Sequence, residues 1–564
     1  MNIGAQNDKL VRRMLLIGAE AGAAATVACL ASALISAYLA DWLGFAIAPF
    51  VILPLSLAAA AGVWLWLQRH ATSDRSPFIA FSLIVSGTFA WLMWRARPDL
   101  LPMGSGPDLT HHLLLVGYIE QHWRLVHDAA AGAYLGEMID YTPGAHLLAA
   151  LASAWLRRDG LHVMHAVVAL TVALKSGVVF LIARRLMPDD GSRVPFAVVA
   201  ALLLWLPSVF FTGSFMQQSF LSQVVSELFA VAMWWALVVW DERPSAGAMA
   251  LFALFGAAAF LTWPIWLGPL VLTLAVIALR HREISWTRRL QHLTIALLPI
   301  AIVASMYALV RLAYGFRMVN AIGFAIWPSP HVLGWPFVVL AVSGWAWSAI
   351  DRRARSAAVL FAAIALQGAA LVITGRSSGA DAPYLSLKMS YLAIYPLAVA
   401  AAVMLAHVWR AALRSAAASR YAWIPVIVVA LGVAWSLRST PPVKPVVTQA
   451  VWMAGEWART RVPPACVDYL VADGFTGYWL HLAVFGNPRA TGRAMDGDTF
   501  EPTKAIVRWI LPNGLPYAIT DDFDALPRDI RTNVDVLARF GPAAVVQRRG
   551  TSSCEDTRRN RGER

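Results

Sequence analysis

Three polar groups in this chain combine residue types and spacings that could carry chemistry. Asp108, His111 and His112 fall within one turn of each other in Gly106-Pro-Asp-Leu-Thr-His-His. Glu137, Asp140 and His146 follow, the last two in Asp140-Tyr-Thr-Pro-Gly-Ala-His146. Arg376, Tyr384 and Lys388 sit in Gly375-Arg-Ser-Ser-Gly-Ala-Asp-Ala-Pro-Tyr384-Leu-Ser-Leu-Lys388. A carboxylate can act as general base toward a hydroxyl or steer it, and Asp108, just after Pro107, can equally cap a helix. Adjacent histidines point to different faces of a helix, which makes His111 and His112 a poor bidentate pair. The spacing of common metal sites is absent, so a divalent metal is compatible with these residues without being required by them. Arginine grips phosphate oxygens bidentately and lysine adds a point charge. Tyr384 and Lys388, four apart, share a helix face; the plainer reading of Lys388 is a flanking lysine that snorkels.

These groups must be positioned by elements of an unusual kind. The chain has 564 residues, 59% hydrophobic and only 14% charged, with mean hydropathy +0.59. Soluble domains are nearer about half apolar and a quarter charged. Apolar runs near the length that crosses a bilayer recur from Met14 to Leu437, which excludes a soluble enzyme and a single-span protein. The fold class is therefore mainly α: a polytopic membrane protein of about 13 transmembrane helices, with a small C-terminal α/β domain. The spans are placed near 14–40, 44–67, 77–95, 161–183, 194–212, 218–240, 246–262, 264–280, 290–312, 332–350, 356–374, 388–409 and 421–437. The first apolar run, preceded by Lys9, Arg12 and Arg13, is too long for a signal-peptide core and reads as a retained span.

Gly144–Leu156 is short for a span. Treating it as interfacial places Arg184, Arg185, Arg193, Arg280, Arg352, Arg353 and Arg410 on the cytoplasmic side, as the positive-inside rule demands. The excess of basic residues, 46 Lys+Arg against 33 Asp+Glu, is then a topology signal and not a nucleic-acid footprint. The same choice puts the 96–160 loop and everything after 437 outside the cytoplasm, in a protein integral to the cytoplasmic (inner) membrane with a cytoplasmic N-terminus. Residues 1–437 form the membrane domain and 438–564 an extracytoplasmic domain ending in a polar, disordered tail. Strands are expected at 466–472, 517–520 and 543–547, with helices at 448–460, 477–485, 502–511 and 525–539. Cys466 and Cys554 either pair in an oxidising compartment or remain thiols. Lys175 and Glu227 lie inside spans, where ionisable residues pair or line a polar cavity. Gln217, Gln218 and Gln223 lie near a turn, Arg311 and Arg317 flank another loop, and the 25 tryptophans cluster near span ends as an aromatic belt does.

The order of these parts resembles the C-type glycosyltransferase superfamily (GT-C), as in the protein mannosyltransferase and aminoarabinose transferase families. Asp108 matches the acid of that superfamily's first large outer loop. Tyr141–Leu151 matches its juxtamembrane helix, and Leu181-Ile-Ala-Arg-Arg-Leu-Met187 its "ARRLFG" span end. The match covers about residues 100–240. Leu109 stands where relatives carry a second acid, and Thr142 where some carry a lysine. The resemblance implies transfer of a sugar from a polyprenyl-phosphate donor to an extracytoplasmic glycan, lipid or protein acceptor. Asp108 would be catalytic; Glu137, Asp140, His111, His112 or His146 would supply a second acid or acceptor contacts; Arg376, Lys388 and Tyr384 would hold the donor phosphate. The competing class is a polytopic transporter or a flippase of lipid-linked sugars, favoured by Lys175 and Glu227 and disfavoured by the absence of a convincing repeat.

Overall fold

The computed structural model describes residues 18–68, 76–97, 101, 107–281, 283–319, 325–377, 384–414, 423–440, 445, 447–486, 509, 514–550 and 554. Three apolar helices come first, α1 (Ala19–Trp42), α2 (Pro49–Gln68) and α3 (Ser76–Arg95). Then α4 (Pro107–His122) and α5 (Gly144–Leu156) flank a run of single helical turns. The bundle continues through α6 (Gly160–Leu186), α7 (Arg193–Leu203), α8 (Leu221–Glu242), α9 (Ala246–Thr262), α10 (Leu267–Arg280) and α11 (Trp286–Val319). It closes with α12 (Trp335–Ile350), α13 (Arg355–Ser377), α14 (Tyr384–Leu413) and α15 (Ile424–Ser439). Among the described residues, eight helices are long and apolar enough to cross a membrane and six more apolar helices are shorter. The chain is an integral, multi-pass membrane protein.

Helix falls within each of the thirteen predicted intervals, but not always as one rod. The 194–212 interval breaks at Leu203 and resumes as the single turn Ser208–Phe211, with a further turn, Gly213–Met216, just beyond it. Pro207 explains the break, because it lacks an N–H and disfavours helical geometry in Leu206. In α11 a kink falls at Arg311, with φ −128° and ψ 22°. α6 and α8 form the centre: 83% and 94% of their apolar windows are buried, against 11% for α2, whose Phe50, Val51, Leu55 and Leu57 face outward. An apolar face left open by protein is a face solvated by lipid.

The buried centre also contains charge. Lys175 of α6 and Glu227 of α8 form a fully buried ion pair, as the sequence suggested. Glu227 accepts further hydrogen bonds from the Tyr395 hydroxyl at 2.6 Å and the Gln223 amide at 3.3 Å. Its carboxylate is thus met from α6, α8 and α14 at once.

Close packing fixes the short helices. A Cβ on Gly144 would lie 2.3 Å from Thr262 Oγ1 and 2.9 Å from the Leu261 carbonyl, so the start of α5 can meet the end of α9 only without a side chain. The neighbouring Thr142 hydroxyl donates to the Thr262 carbonyl at 2.8 Å.

The C-terminal segment contains α16 (Gln449–Arg459), β1 (Val467–Leu470), α17 (Gly474–Trp479), β2 (Tyr517–Thr520), α18 (Arg528–Thr532), β3 (Val534–Phe540) and β4 (Ala543–Arg548). The sheet order is β1-β2-β4-β3, with β1 and β2 parallel and the other pairs antiparallel. Cys466 and Cys554 form a disulfide. The helix expected over 525–539 is shortened to α18, and β3 replaces its second half. β3 pairs with β4 across a register shift between Val536 and Ala538, and Gly541, at φ +61°, supplies the positive φ of a two-residue hairpin into β4. The helix expected over 502–511 lies outside the described residues, apart from Trp509.

Removing one member of a buried ion pair strands the other, at a cost of about 3–5 kcal/mol. Lys175→Met should therefore lower the thermal midpoint sharply, and Lys175→Met/Glu227→Met should recover most of the loss. A thermal-shift series in detergent on the two variants checks this.

Candidate functional site

The site is assembled at the end of the bundle where α4 and α5 lie, from three separated stretches of chain. α4 begins at Pro107, which suits the first helical position because its missing N–H would be unpaired there. Asp108 occupies the first turn. Its residue is exposed, yet burial by surrounding protein still pushes its carboxyl above the usual carboxylate range, opposed by the positive fields of His111 and Lys388 and reinforced by Glu137. Partial desolvation raises a carboxylate's affinity for a proton and so makes it a better base than one in water.

The two adjacent histidines diverge, as helix geometry requires. The His111 ring is buried; its Nδ1 lies 2.7 Å from Glu137 Oε1 and its Nε2 lies 2.7 Å from the Tyr478 hydroxyl. With Nδ1–H donating to the carboxylate, Nε2 accepts from the tyrosine. His112 points instead to α5, its Nδ1 2.8 Å from His146 Nε2. Tyr141 packs edge-on against both rings, at 5.6 and 5.7 Å between centroids. Burial, followed by the neighbouring imidazoles, holds His112 well below the ordinary histidine value, and burial pushes His146 down to about 3. Both are neutral at neutral pH, so one of the pair donates and the other accepts.

Glu137, in the turn Gly136–Ile139, is half exposed and tied to His111. Asp140 is committed elsewhere: its Oδ1 accepts from Arg311 Nη1 at 2.9 Å, and its carbonyl accepts from the Tyr307 hydroxyl. Arg311 also donates to the carbonyls of Val126 (2.7 Å) and Ile139. It thereby fastens the loop between α4 and α5 to the kinked end of α11. Glu120, on the same helix as Asp108, has its carboxyl raised by burial and lies against Gly160, where a Cβ would meet Val116 at 2.3 Å. That close approach sets α4 against the start of α6.

The third stretch is the start of α14. Lys388 is 1% exposed, and its ammonium lies over the rings of Phe220, Tyr384 (5.0 Å) and Tyr391 (5.7 Å). Tyr384 and Lys388 do share a face, and Tyr391 extends it while donating to Gln218. No carboxylate lies within ion-pair distance of Lys388 among the described residues. Ring faces attract an ammonium but do not neutralise it. The Lys388 amine therefore lies among ring faces, with Asp108 and Glu227 as the more distant acids in its field. Arg376, in the last turn of α13, is exposed and makes no contact with this cluster among the described residues. No group of three or more His, Cys, Asp or Glu suited to holding a metal ion occurs among the described residues either.

The structure thus gathers Asp108, His111, Glu137 and, through its field, Lys388; it places His112 and His146 in a second buried pair, and it leaves Asp140 and Arg376 apart. Tyr478, Phe220 and Tyr391 have no counterpart among the residues expected from sequence. Phe220 and Tyr391 carried a local signal, being an aromatic beside the glutamines at 217–218 and a tyrosine three residues after Lys388. Tyr478 carried none, being 367 positions from its partner.

No protein-family model matches the chain, and no curated protein matches it. Among solved structures, the chain is similar to ArnT from Cupriavidus metallidurans in the apo state, with 16% identity, TM-score 0.49, and coverage of 82% of this chain and 97% of that one. It is also similar to the same protein bound to undecaprenyl phosphate, with 16% identity, TM-score 0.46 and the same coverage. A third is the archaeal oligosaccharyltransferase AglB from Archaeoglobus fulgidus in complex with an inhibitory peptide and a dolichol-phosphate, with 12% identity, TM-score 0.46, and coverage of 79% of this chain and 69% of that one.

The neutral histidine pair has a consequence for pH. Each ring's folded pKa is below its unfolded value of about 6.5, so below that value the unfolded chain binds more protons and stability falls as pH drops. The loss should run from about pH 6.5 toward the His146 value of about 3. Thermal midpoints measured between pH 7.5 and 4.5 should fall steadily, and His112→Gln/His146→Gln should flatten that slope. An unchanged slope would remove these rings as its source.

Proposed function

We propose that this chain is an integral-membrane glycosyltransferase that moves a sugar from a polyprenyl-phosphate donor to an acceptor at the extracytoplasmic face. The observation that carries the reading is that Lys388, buried and without a carboxylate at ion-pair distance among the described residues, lies within the electrostatic reach of Asp108. Burying an unanswered cation is costly, and an arriving phosphate would relieve that cost. The resemblance of the Asp108 loop, the Tyr141–Leu151 helix and the Leu181–Met187 span end to the GT-C superfamily supplies the reaction class.

In this reading Asp108 accepts the proton of the acceptor hydroxyl as its oxygen bonds to the anomeric carbon. The bond from that carbon to the donor phosphate breaks, and the electron pair leaves on the phosphate. Lys388 stabilises the charge gathering there, and Tyr384 and Tyr391 hold the ammonium in place, while Arg376, apart from this cluster, has no part in the step. His111 positions rather than reacts, since both nitrogens are engaged by Glu137 and Tyr478. The His112–His146 pair and the Asp140–Arg311 contact brace the loop. No step needs a metal, and none is assigned. Lys175 and Glu227, the residues that favoured transport, are paired with each other and with Tyr395, which supports a structural role.

The extracytoplasmic placement follows from the arginine distribution. The segment after 437 is then an outer domain, joined to the catalytic helix through Tyr478. The N-terminus faces the cytoplasm of a cell whose inner membrane holds the protein.

Asp108→Asn should lower turnover from a polyprenyl-phosphate sugar about 10²–10⁴-fold, the usual range for losing a general base, with little change in donor affinity. Lys388→Met should weaken donor binding. In the wild type the rate should climb with pH through an apparent pKa above the ordinary carboxylate range, because the basic form of Asp108 is the active one. Full turnover in a folded Asp108→Asn protein would end this assignment.

The bridge from the C-terminal segment is tested separately. Tyr478→Phe leaves a buried imidazole nitrogen without its partner, a defect of about 1–3 kcal/mol. Turnover should fall with the Michaelis constant for donor nearly unchanged, whereas a purely distant role for the segment predicts no change.

A further inference from the structure

A cavity of about 530 Å³ lies at the opposite end of the bundle from Asp108. Gly160, where α6 meets α4, and Arg184 are separated by 24 helical residues, about 36 Å at helical rise. Arg184, Arg185, Arg193 and Arg243 line the cavity together with only two acids, Glu20 and Glu242. Arg185 spends its guanidinium on both acids. Arg193 donates to Asp189 and to the Arg184 carbonyl, and Arg184 lies 3.6 Å from Glu20. Arg243 is exposed, and its side chain has no hydrogen-bond or ion-pair partner among the described residues. It is held at the rim by the tight turn from α8 to Ser245, whose side chain caps α9. The cavity is therefore net positive, with one guanidinium turned to incoming anions.

The other wall is apolar. Trp66 and Leu67 line it, at the end of α2, the helix whose outer residues face lipid. Trp66 is seated by Gly247, where a Cβ would come within 2.4 Å of its ring. A guanidinium rim above an apolar wall that runs onto a lipid-facing helix matches an amphiphile with an anionic head.

We propose that this cavity binds the phosphate of an anionic membrane lipid, with Arg243 and Arg184 on the headgroup and Trp66 and Leu67 against the first carbons of the chains. Phosphate is the shared chemistry with a free anion, and the lipid is favoured by the apolar wall. The site is independent of the proposed transfer reaction.

The test uses the full-length protein in detergent, titrated with phosphatidylglycerol, phosphatidylcholine or inorganic phosphate, and read by thermal unfolding and native mass spectrometry. Phosphatidylglycerol should raise the midpoint and stay bound, and phosphatidylcholine should do neither. Arg243→Gln, which removes no internal contact, should weaken phosphatidylglycerol about tenfold, as loss of one charge-assisted contact implies, and Trp66→Ala should also weaken it. Inorganic phosphate reproducing the whole shift would overturn the lipid assignment in favour of a free anion. Wild-type retention by both variants, or equal retention of the two lipids, would overturn the site.

Discussion

A charge inside an apolar bundle must be answered by an opposite charge, by hydrogen bonds or by a ligand, and this constraint organises the molecule. Within hydrocarbon surroundings an unanswered ion costs several kcal/mol even after relaxation. Lys175 and Glu227 answer each other, and Tyr395 and Gln223 take up the remaining lone pairs. Lys388 is treated differently. It sits seven residues before Tyr395 on the same helix and three before Tyr391, so the three share one face of α14. That face passes from a closed ion-pair network, through Tyr391 and Gln218, to an ammonium surrounded by ring faces. The closed network fixes α14 against α6 and α8 and so fixes the height at which the open ammonium stands.

The base of the proposed reaction needs its own support, because Asp108 lies on a helix that does not span the bundle. α4 is held at both ends of its reach: Gly160 allows close contact with Val116, and His111 ties the first turns to Glu137 and to Tyr478. Arg311 then ties the following loop to α11 through three acceptors. A base is useful only if held within a fraction of an ångström of its target, and these contacts are what a short amphipathic helix requires to reach that standard.

The helical frame was legible because long apolar runs need no partner to be recognised, and each predicted span contains helix. Breaks were harder to read. The end of α7 at Leu203 follows from Pro207, but its continuation as single turns depends on packing against neighbours. β3 is hard to read because 525–539 has no strong strand bias by itself; pairing with β4, across a register shift, is what makes it a strand. In the site, Asp108, His111 and the Tyr384–Lys388 pair could be found because spacing within one helix is local information. The ties through Tyr478 and Arg311 could not, since their partners lie 367 and 171 positions away. Asp140 shows the reverse case: a loop acid resembling a second catalytic carboxylate is occupied by an arginine that sequence placed only at a loop edge.

The site therefore divides according to where its two halves are anchored. Lys388 belongs to a helix embedded in the bundle, and Asp108 to one that rests on the bundle and is tied to the C-terminal sheet. In the proposed reaction a lipid-borne donor reaches Lys388 from the bilayer, while the acceptor meets Asp108 from the aqueous side. The embedded half is fixed by ion pairing and close helix contact, which leave little freedom. The other half is fixed by the close approach at Gly160, by Arg311 and by His111, whose ring hydrogen-bonds to two different stretches of chain. The C-terminal segment thus bears on the helix that carries Asp108, through Tyr478 and the packing around it, and not on the charge network beneath.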